Sequence, residues 1–516
     1  MIKKQEKVLS RNKQVAINII ASFLALAVNM GINFFLSKYI VAKVGVEAYG
    51  FVQLTNNILN YLSILTIALN SMSSRFISIS YFKKDVKSAN QYFSSTFFAD
   101  LILSTVFFPI LVIAILNVST LLNISSELVL DVQTLMIFML ANFIVGLLAT
   151  NLGISYYVKN QLYRSSLINI IVYIIRAALL LFLFGFFKPQ IAFVGFVGLV
   201  VTCTTQIFNL HYKKVLTPEL KIQRSNFSWK KVKELLSAGV WNSITQLGSV
   251  LQEGLDLLIT NLFISATDMG VLSIAKIIPG LINTLLATII STFLPSITEF
   301  YANGKIKEMV DFIKQSMKLI GMLINIPIAV LIAYGDVLFS LWFPSQNAQL
   351  LQILSIITIL PWAIMGQATI IHNLFNVLNR LKVNAILVLT TGVLNIVVVF
   401  VLLKTTHLGL FAVAGVSTVF SILRNLLYTV PFGAKYIGQK WTTFYPEIFK
   451  SVGSVVIISC IGLFLKNFMP LRTWLWMILF CMITAGIGFL FNYLIVFNHN
   501  DRLRLKNMIK GKVKRG

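Results

Sequence analysis

Seven ionisable residues stand out deep inside long apolar stretches of this sequence, away from the basic loops. The cations are Arg75, Arg176, Lys276 and Arg424, and the acids are Asp100, Glu253 and Asp256. A charged side chain near the centre of a membrane span costs about 2.5–3.5 kcal/mol on insertion scales, so each one needs a partner, water or a functional role. Four cations against three acids leave the interior net basic. This balance favours binding of an anion such as phosphate, pyrophosphate or an acidic sugar.

Asp256 and Lys276 lie at equal distances on either side of residue 266, where a loop is predicted. We therefore expect them at similar depth on consecutive helices. Glu253 precedes Asp256 by one helical turn, which places both carboxyl groups on one helix face. One interpretation is a cation that faces a cavity, with its protonation or ion coupling set by the two acids. The other is a structural salt bridge between two helices.

Arg75 and Asp100 flank the basic loop at 83–87 in a similar way, and Arg176 lies in the middle of a later apolar stretch. We expect Asp100 to pair with Arg75 or to be within reach of Arg176. Such a pair would either stabilise the first half of the chain or couple transport to an ion. Arg424 has no acid on a neighbouring predicted helix.

Amide side chains supply a second kind of polar group. Asn29 and Asn33 lie one turn apart in the first apolar stretch, and Asn56 and Asn60 lie one turn apart in the second. Amides can bind sugar hydroxyl groups. The alternative interpretation is that they form hydrogen bonds between helices.

The elements that carry these residues are predicted to be membrane helices. The chain has 516 residues, of which 57% are hydrophobic and 12% charged, whereas a soluble domain has about 25% charged residues. The sequence therefore predicts an all-α polytopic membrane protein with about 14 transmembrane helices. The predicted spans are 15–40, 50–80, 90–117, 130–156, 165–187, 189–210, 236–264, 269–298, 309–335, 348–376, 383–404, 409–433, 446–468 and 473–497.

The net charge of +26 follows from 43 Lys and Arg against 17 Asp and Glu. Most of these cations lie in alternate loops, which predicts cytoplasmic N- and C-termini by the positive-inside rule. We read the basic segment Met1–Lys13 as the start of a retained first helix. Topology and attraction to anionic lipid account for the charge, so nucleic acid is not an expected partner.

Several kinds of chemistry find no support in the sequence. The three Cys and four His are scattered, so neither a disulfide framework nor a metal site is indicated. No Walker A motif and no paired-carboxylate motif is present, which argues against an ATP-driven pump and against an enzyme.

A repeated pattern divides the chain into two related halves. A constant shift of 220 residues relates Gly50 to Gly270 and Tyr81 to Tyr301. Each copy is predicted to open with a short loop that closes on the glycine and to continue as an apolar helix. Two such halves in a membrane protein suggest a transporter with its site between them. The predicted division is an N-lobe of six helices at 1–210, a basic linker at 211–235, a C-lobe of six helices at 236–433, and two further helices with a basic tail at 434–516.

The same shift matches Asn56 to Lys276 and Asn33 to Glu253. The first copy therefore offers neutral amides where the second offers charges. From this difference we expect the second half to hold a phosphate and the first half to bind sugar.

The residues Gly45–Gly50 (GVEAYG) resemble the G-x-x-x-Y/F-G loop of the polysaccharide transporter branch of the multidrug/oligosaccharidyl-lipid/polysaccharide exporter superfamily. Residues 266–270 together with 294–297 resemble its second-half counterpart. The resemblance covers essentially the whole chain. It implies a Wzx-type flippase that moves an undecaprenyl-(pyro)phosphate-linked oligosaccharide from the inner to the outer leaflet of the bacterial plasma membrane by alternating access.

The resemblance also implies roles for the residues above. The substrate would be bound by the cations and amides: Lys276, Arg75, Arg176, Arg424, Asn29, Asn33, Asn56 and Asn60. Ion coupling would involve Asp256, Glu253 and Asp100, with H⁺ or Na⁺ as the coupling ion and no cofactor. We expect a monomer in contact with membrane lipids, with a polysaccharide polymerase as a candidate partner.

Two alternatives share this fold: a lipid II flippase and an ion-coupled drug antiporter. Asn29 and Asn33 stand where the lipid II branch has a charged cluster, and the net basic interior is unsuited to cationic drugs. The sequence therefore favours a unit of capsule, O-antigen or teichoic-acid type.

Overall fold

The computed structural model describes residues 11–378, 380–498 and 501–502, and every regular element in these ranges is helical. Thirteen of the described helices are long and apolar enough to cross a membrane. The predicted all-α membrane fold is therefore confirmed.

The helices group into two compact units. Unit 1 comprises the described residues up to Val250 together with Ser265–Gly270, and unit 2 comprises Leu251–Ile264 and the described residues from Val271 onward. The long helices of unit 1 are α1 (Arg11–Val44), α2 (Val46–Phe82), α3 (Val86–Leu116), α4 (Val129–Leu148), α5 (Leu162–Phe186), α6 (Ala192–Leu216) and α7 (Trp229–Ser249).

The helices that follow are more often interrupted. They are α8 (Asp256–Phe263), α9 (Ala266–Ala275), α10 (Ile277–Ala302), α11 (Ile306–Trp342), α12 (Ala348–Ile359), α13 (Trp362–Val377), α14 (Leu381–Thr405), α15 (Leu410–Arg424), α16 (Val430–Tyr436), α17 (Tyr445–Lys466) and α18 (Trp474–Phe491). The first residues of α9, up to Gly270, pack within unit 1. Three π-helical turns interrupt or end helices, at Val250–Gly254, Asn425–Thr429 and Asn492–Val496.

The predicted span 236–264 is not among the thirteen apolar helices. Its first part lies in α7, which is rich in polar residues, and the first π turn separates α7 from the short helix α8. The predicted single span is therefore two helices separated by a π turn.

A proline causes the break between α9 and α10. Pro279 has no N–H group to donate to the carbonyl of Ala275, so the helix cannot continue through this point. The Ser355 hydroxyl donates to the Ala275 carbonyl at 2.6 Å and satisfies it. Lys276 is the residue at the break.

A second proline separates α12 from α13 in the same way. Pro361 cannot donate to the carbonyl of Ile357. The Thr418 hydroxyl donates to that carbonyl at 2.7 Å. Both breaks are therefore closed by a hydroxyl group from another helix of unit 2.

Helix α7 packs closely along α2 within unit 1. A Cβ atom added to Gly239 would lie 2.0 Å from the carbonyl oxygen of Ala68, so only glycine fits. Asn242 donates to the Ser71 hydroxyl at 3.1 Å along the same seam. Unit 1 consequently extends past residue 210. The lobe boundaries inferred from the repeat stay a prediction, because packing and repeat length are different properties.

The glycines of the repeated motif contact each other. Helices α2 and α9 begin at Val46 and Ala266, so Gly50 and Gly270 lie in the first turns of helices rather than in the predicted loops. A Cβ atom added to Gly50 would lie 2.8 Å from the Cα atom of Gly270, and one added to Gly270 would lie 2.4 Å from the Val46 carbonyl oxygen. The two glycines of the motif thus allow the N-terminal ends of α2 and α9 to cross closely.

We predict that Gly270→Ala lowers the thermal stability of the purified protein. The new methyl group has no space, and overpacking of this kind costs about 1–3 kcal/mol. Gly280→Ala is the matched control, since no atom lies within 4 Å of its added Cβ and alanine favours a helix by up to about 1 kcal/mol. Equal melting temperatures for the two variants in detergent would contradict the crossing.

Candidate functional site

Lys276 and Asp256 form an ion pair in unit 2. The Asp256 side chain is 5% exposed and the Lys276 side chain 22% exposed. Lys276 occupies the break before α10, and Asp256 begins α8. The predicted contact between these two residues is therefore present, and each residue lies where a helix is interrupted.

Arg424 belongs to a second polar cluster of unit 2. Its guanidinium donates from Nη1 to Gln252 Oε1 at 2.6 Å, and Gln252 donates to the Ser421 hydroxyl at 2.7 Å. Ser421 in turn donates to Glu253 Oε1 at 2.8 Å. Arg424 is expected from the sequence to have no acid on a neighbouring helix, but hydrogen bonds through Gln252 and Ser421 link it to Glu253.

The backbone of the first π turn is held by a buried amide. Asn395 donates to the carbonyl oxygens of Leu251 and Gln252 at 3.2 and 3.0 Å. The second π turn starts directly after Arg424, where Asn425 donates to the Ser421 carbonyl at 2.8 Å. Single π turns inside helices occur frequently at functional sites. Interrupted membrane helices commonly build transport sites.

Arg176 is the centre of a different cluster, in unit 1. It donates from Nη1 to Asn33 Oδ1 at 3.2 Å, and Asn33 donates to Asn29 Oδ1 at 2.6 Å. The phenol groups of Tyr49 and Tyr173 are its electrostatic neighbours. Within the described ranges, none of these partners is an acid. Arg176 is therefore a cation in a membrane helix whose described partners are all neutral.

Asp100 pairs with neither of the predicted cations. Its Oδ1 atom accepts a hydrogen bond from Asn70 at 3.1 Å, and the residue is 1% exposed. Arg75 lies five positions after Asn70, roughly 140° around α2, on an exposed part of that helix. Arg176 is bound to Asn33 instead. Asp100 is thus a buried acid with a neutral hydrogen-bond donor.

The surroundings of Asp100 are polar and contain little space. Thr96, Thr150 and Asn151 line a cavity of about 10 Å³ beside it, about the space of one water molecule. One helical turn beyond Asp100, the buried hydroxyl of Ser104 has no hydrogen-bond partner in the described part of the chain.

Asn56 and Asn60 are exposed on α2. Asn56 donates to the carbonyl of Val52 in its own helix at 3.1 Å. No described hydrogen bond joins either residue to Asn29 or Asn33. Of the four amide residues proposed from the sequence, Asn29 and Asn33 are hydrogen-bonded to each other, whereas Asn56 and Asn60 are exposed.

Several members of these clusters are neutral and are not evident from the charges of the sequence. Gln252, Ser421 and Asn70 each bind a charged residue, and Asn395 binds the backbone of the first π turn. One signal was present, since Ser421 precedes Arg424 by three residues and so shares its helix face. Asn395 carried none, because its contact depends on how α14 packs.

Residues 15–301 match the family model described as polysaccharide biosynthesis protein. This chain belongs to that family. The match includes the GVEAYG motif and the clusters of unit 1, and the resemblance drawn from the motifs is confirmed.

A relative with a similar sequence is the uncharacterized membrane protein EpsK of Bacillus subtilis (strain 168). It is 27% identical over 500 residues, which cover 96% of this chain and 98% of EpsK. The chain is therefore a multi-pass membrane protein of a polysaccharide biosynthesis family.

Two solved structures define the fold. The lipid II flippase MurJ in an inward closed conformation has a TM-score of 0.69 at 16% identity and covers 93% of this chain and 100% of its own. An inward-facing multidrug resistance MATE family transporter of the MOP superfamily has a TM-score of 0.67 at 15% identity, over 80% of this chain and 98% of its own. The family member thus has the fold of MOP superfamily transporters.

We predict that Lys276→Met destabilises the protein, because it leaves the Asp256 carboxylate buried without its cation. Loss of one partner of a buried ion pair costs about 3–5 kcal/mol. The double variant D256N/K276M, which leaves no buried charge, should recover most of the melting temperature. If the single variant melts like the wild type, or the double variant melts no higher than the single one, the pair does not stabilise unit 2.

Proposed function

We propose that this protein is a flippase for an anionic, lipid-linked oligosaccharide, with an undecaprenyl-(pyro)phosphate carrier and a capsule, O-antigen or teichoic-acid type of sugar. The environment of Arg176 is the observation that supports this proposal most. It is a guanidinium in a membrane helix whose hydrogen-bond partner is an amide and whose electrostatic neighbours are phenols. Such a group binds phosphate oxygens through paired, charge-assisted hydrogen bonds.

The charge balance of the clusters supports a phosphate site in unit 1. Lys276 is compensated by Asp256, and Arg424 is linked to Glu253 through Gln252 and Ser421. We therefore assign the phosphate to Arg176, although the charges of the repeat favoured the second half. The amides of Asn29 and Asn33 orient the guanidinium, and the exposed Asn56 and Asn60 remain candidates for the sugar.

The coupling ion in this proposal is a proton at Asp100. A buried carboxylate without a cation is costly, so it is either neutralised or bound to an ion. Asp100 has a neutral donor and a space of about one water molecule beside it. Asp256 and Glu253 each have a cation close by, so we assign them a structural role in unit 2.

Leaflet transfer by alternating access follows from this assignment. The polar head passes through the protein while the polyprenyl chain stays in lipid. The bacterial plasma membrane, cytoplasmic termini, a monomeric state and a polymerase partner stay predictions from the sequence.

We predict that Arg176→Gln slows transfer of a fluorescent polyprenyl-pyrophosphate oligosaccharide between leaflets of proteoliposomes by about 10- to 100-fold, the worth of one or two charge-assisted hydrogen bonds. Arg176→Lys keeps the charge but loses the planar fork, so its rate should fall between the two. Lys188→Gln removes an equally positive charge just after α5 and should leave the rate unchanged.

Two results would overturn the flippase proposal. One is wild-type transfer by Arg176→Gln. The other is a wild-type protein that exports cationic dyes but moves no lipid-linked oligosaccharide, as an antiporter would. Lipid II as a third substrate tests the remaining alternative.

We also predict that Asp100→Asn folds normally and loses proton coupling. The amide has the shape of the acid and removes a buried charge, so the melting temperature should stay equal or rise. Transfer driven by a pH gradient should be lost, while exchange without a gradient continues. Glu308→Gln, at an exposed acid, is the control, and a gradient response that survives in Asp100→Asn would contradict the assignment.

A further inference from the structure

Unit 1 has an open cavity of about 750 Å³ that none of the clusters above uses. Its lining comes from the last turns of α2 and the first turns of α7, with Phe76, Trp229, Lys230, Lys233 and Glu234 as the principal residues. These turns lie at the helix ends that the charge pattern of the sequence assigns to the cytoplasmic surface. The cavity is large enough to hold a phosphorylated head group.

One acid of this cavity is already compensated. Lys231 Nζ lies 3.1 Å from Glu234 Oε2, and the Tyr92 hydroxyl donates to the same oxygen at 2.6 Å. The Tyr92 hydroxyl and the Lys231 ammonium hold the pKa of Glu234 below its ordinary value, so the carboxylate is ionised at neutral pH. Lys231 therefore neutralises Glu234.

Of the other two cations of the cavity, Lys230 acts on Glu234 only electrostatically, without an ion-pair contact. Lys230 and Lys233 are exposed, and neither forms an ion pair or a hydrogen bond in the described part of the chain. They are one helical turn apart on α7, so their ammonium groups lie on the same side of the helix. The first turn of a helix is also the positive end of the helix dipole, which adds to the attraction for an anion. The cavity thus offers two ammonium groups to a negatively charged ligand.

The aromatic residues indicate that this ligand belongs to a lipid. Trp229 is 59% exposed at the cavity edge, and Phe76 lines its wall. Tryptophan is enriched at the membrane surface, where its ring lies at the level of the lipid head groups. A soluble phosphate would gain nothing from these rings, whereas a lipid-borne phosphate places its first chain carbons against them.

We propose that this cavity is a loading site, where Lys230 and Lys233 bind the phosphate of the lipid-linked substrate at the membrane surface. This inference rests on the proposed function and adds a second binding site to it, separate from Arg176. Binding at the membrane surface raises the local concentration of the substrate before it enters the transport path.

Protection of lysine side chains from acetylation tests the site without measuring transport. The wild-type protein in nanodiscs of phosphatidylcholine is treated with a brief pulse of an amine-reactive acetate, and the modified lysines are read by mass spectrometry. Polyprenyl pyrophosphate in the nanodisc should slow acetylation of Lys230 and Lys233 at least about threefold. Lys221, an exposed cation of the same linker, should react at its usual rate.

Three outcomes would overturn the loading site. They are equal protection by the same fraction of phosphatidylglycerol, equal protection by inorganic pyrophosphate in solution, and equal protection of Lys221. The first would mean attraction to any anionic lipid, the second a site for soluble phosphate, and the third a change in the whole surface.

Transport kinetics supply an independent measurement. The variant K230Q/K233Q should raise the half-saturating substrate concentration at least about threefold and leave the maximal rate unchanged, whereas K221Q/R224Q should change neither. A reduced maximal rate with unchanged half-saturation would contradict the proposal. Protection without leaflet transfer by the wild type would reject the flippase and keep the site, and transfer without protection would do the reverse.

Discussion

A membrane helix that breaks must find new partners for the backbone groups it frees, because lipid offers none. Unit 2 meets this constraint with side chains from neighbouring helices. Ser355 and Thr418 bind the carbonyls left by two prolines, and Asn395 binds those of the first π turn. These hydrogen bonds fix Lys276 and Glu253 in place, because both residues lie at the breaks.

The charged residues considered for the site lie on different kinds of helix in the two units. In unit 2 Lys276, Asp256 and Glu253 lie at interruptions, and Lys276 and Asp256 compensate each other. In unit 1 Arg176 and Asp100 lie within continuous helices and are bound by the amides Asn33 and Asn70. A charge that meets only neutral groups can respond to a ligand or a proton, whereas a compensated pair mainly holds structure.

The internal repeat is visible in the chemistry of these clusters. The shift of 220 residues matches Asn33 to Glu253, and each of them serves an arginine of its own unit. Asn33 accepts directly from Arg176, and Glu253 is joined to Arg424 through Ser421 and Gln252. In both halves this position is linked to an arginine. An amide leaves the arginine charge uncompensated, whereas a carboxylate does not. This difference underlies the assignment of the phosphate to unit 1.

The sequence by itself determined the all-α membrane fold, the family motif and the meeting of Asp256 with Lys276, because apolar length, glycine spacing and distance from a loop are local properties of a chain. The tertiary structure decided the partners of Asp100, Arg176 and Arg424. Rotation around a helix and the contacts of another helix set these partners, and linear spacing does not contain them. The first π turn shows the reason most directly. Gln252 and Glu253 lie in this turn and contact Arg424 and Ser421, and Asn395 binds the turn from a distant part of the chain.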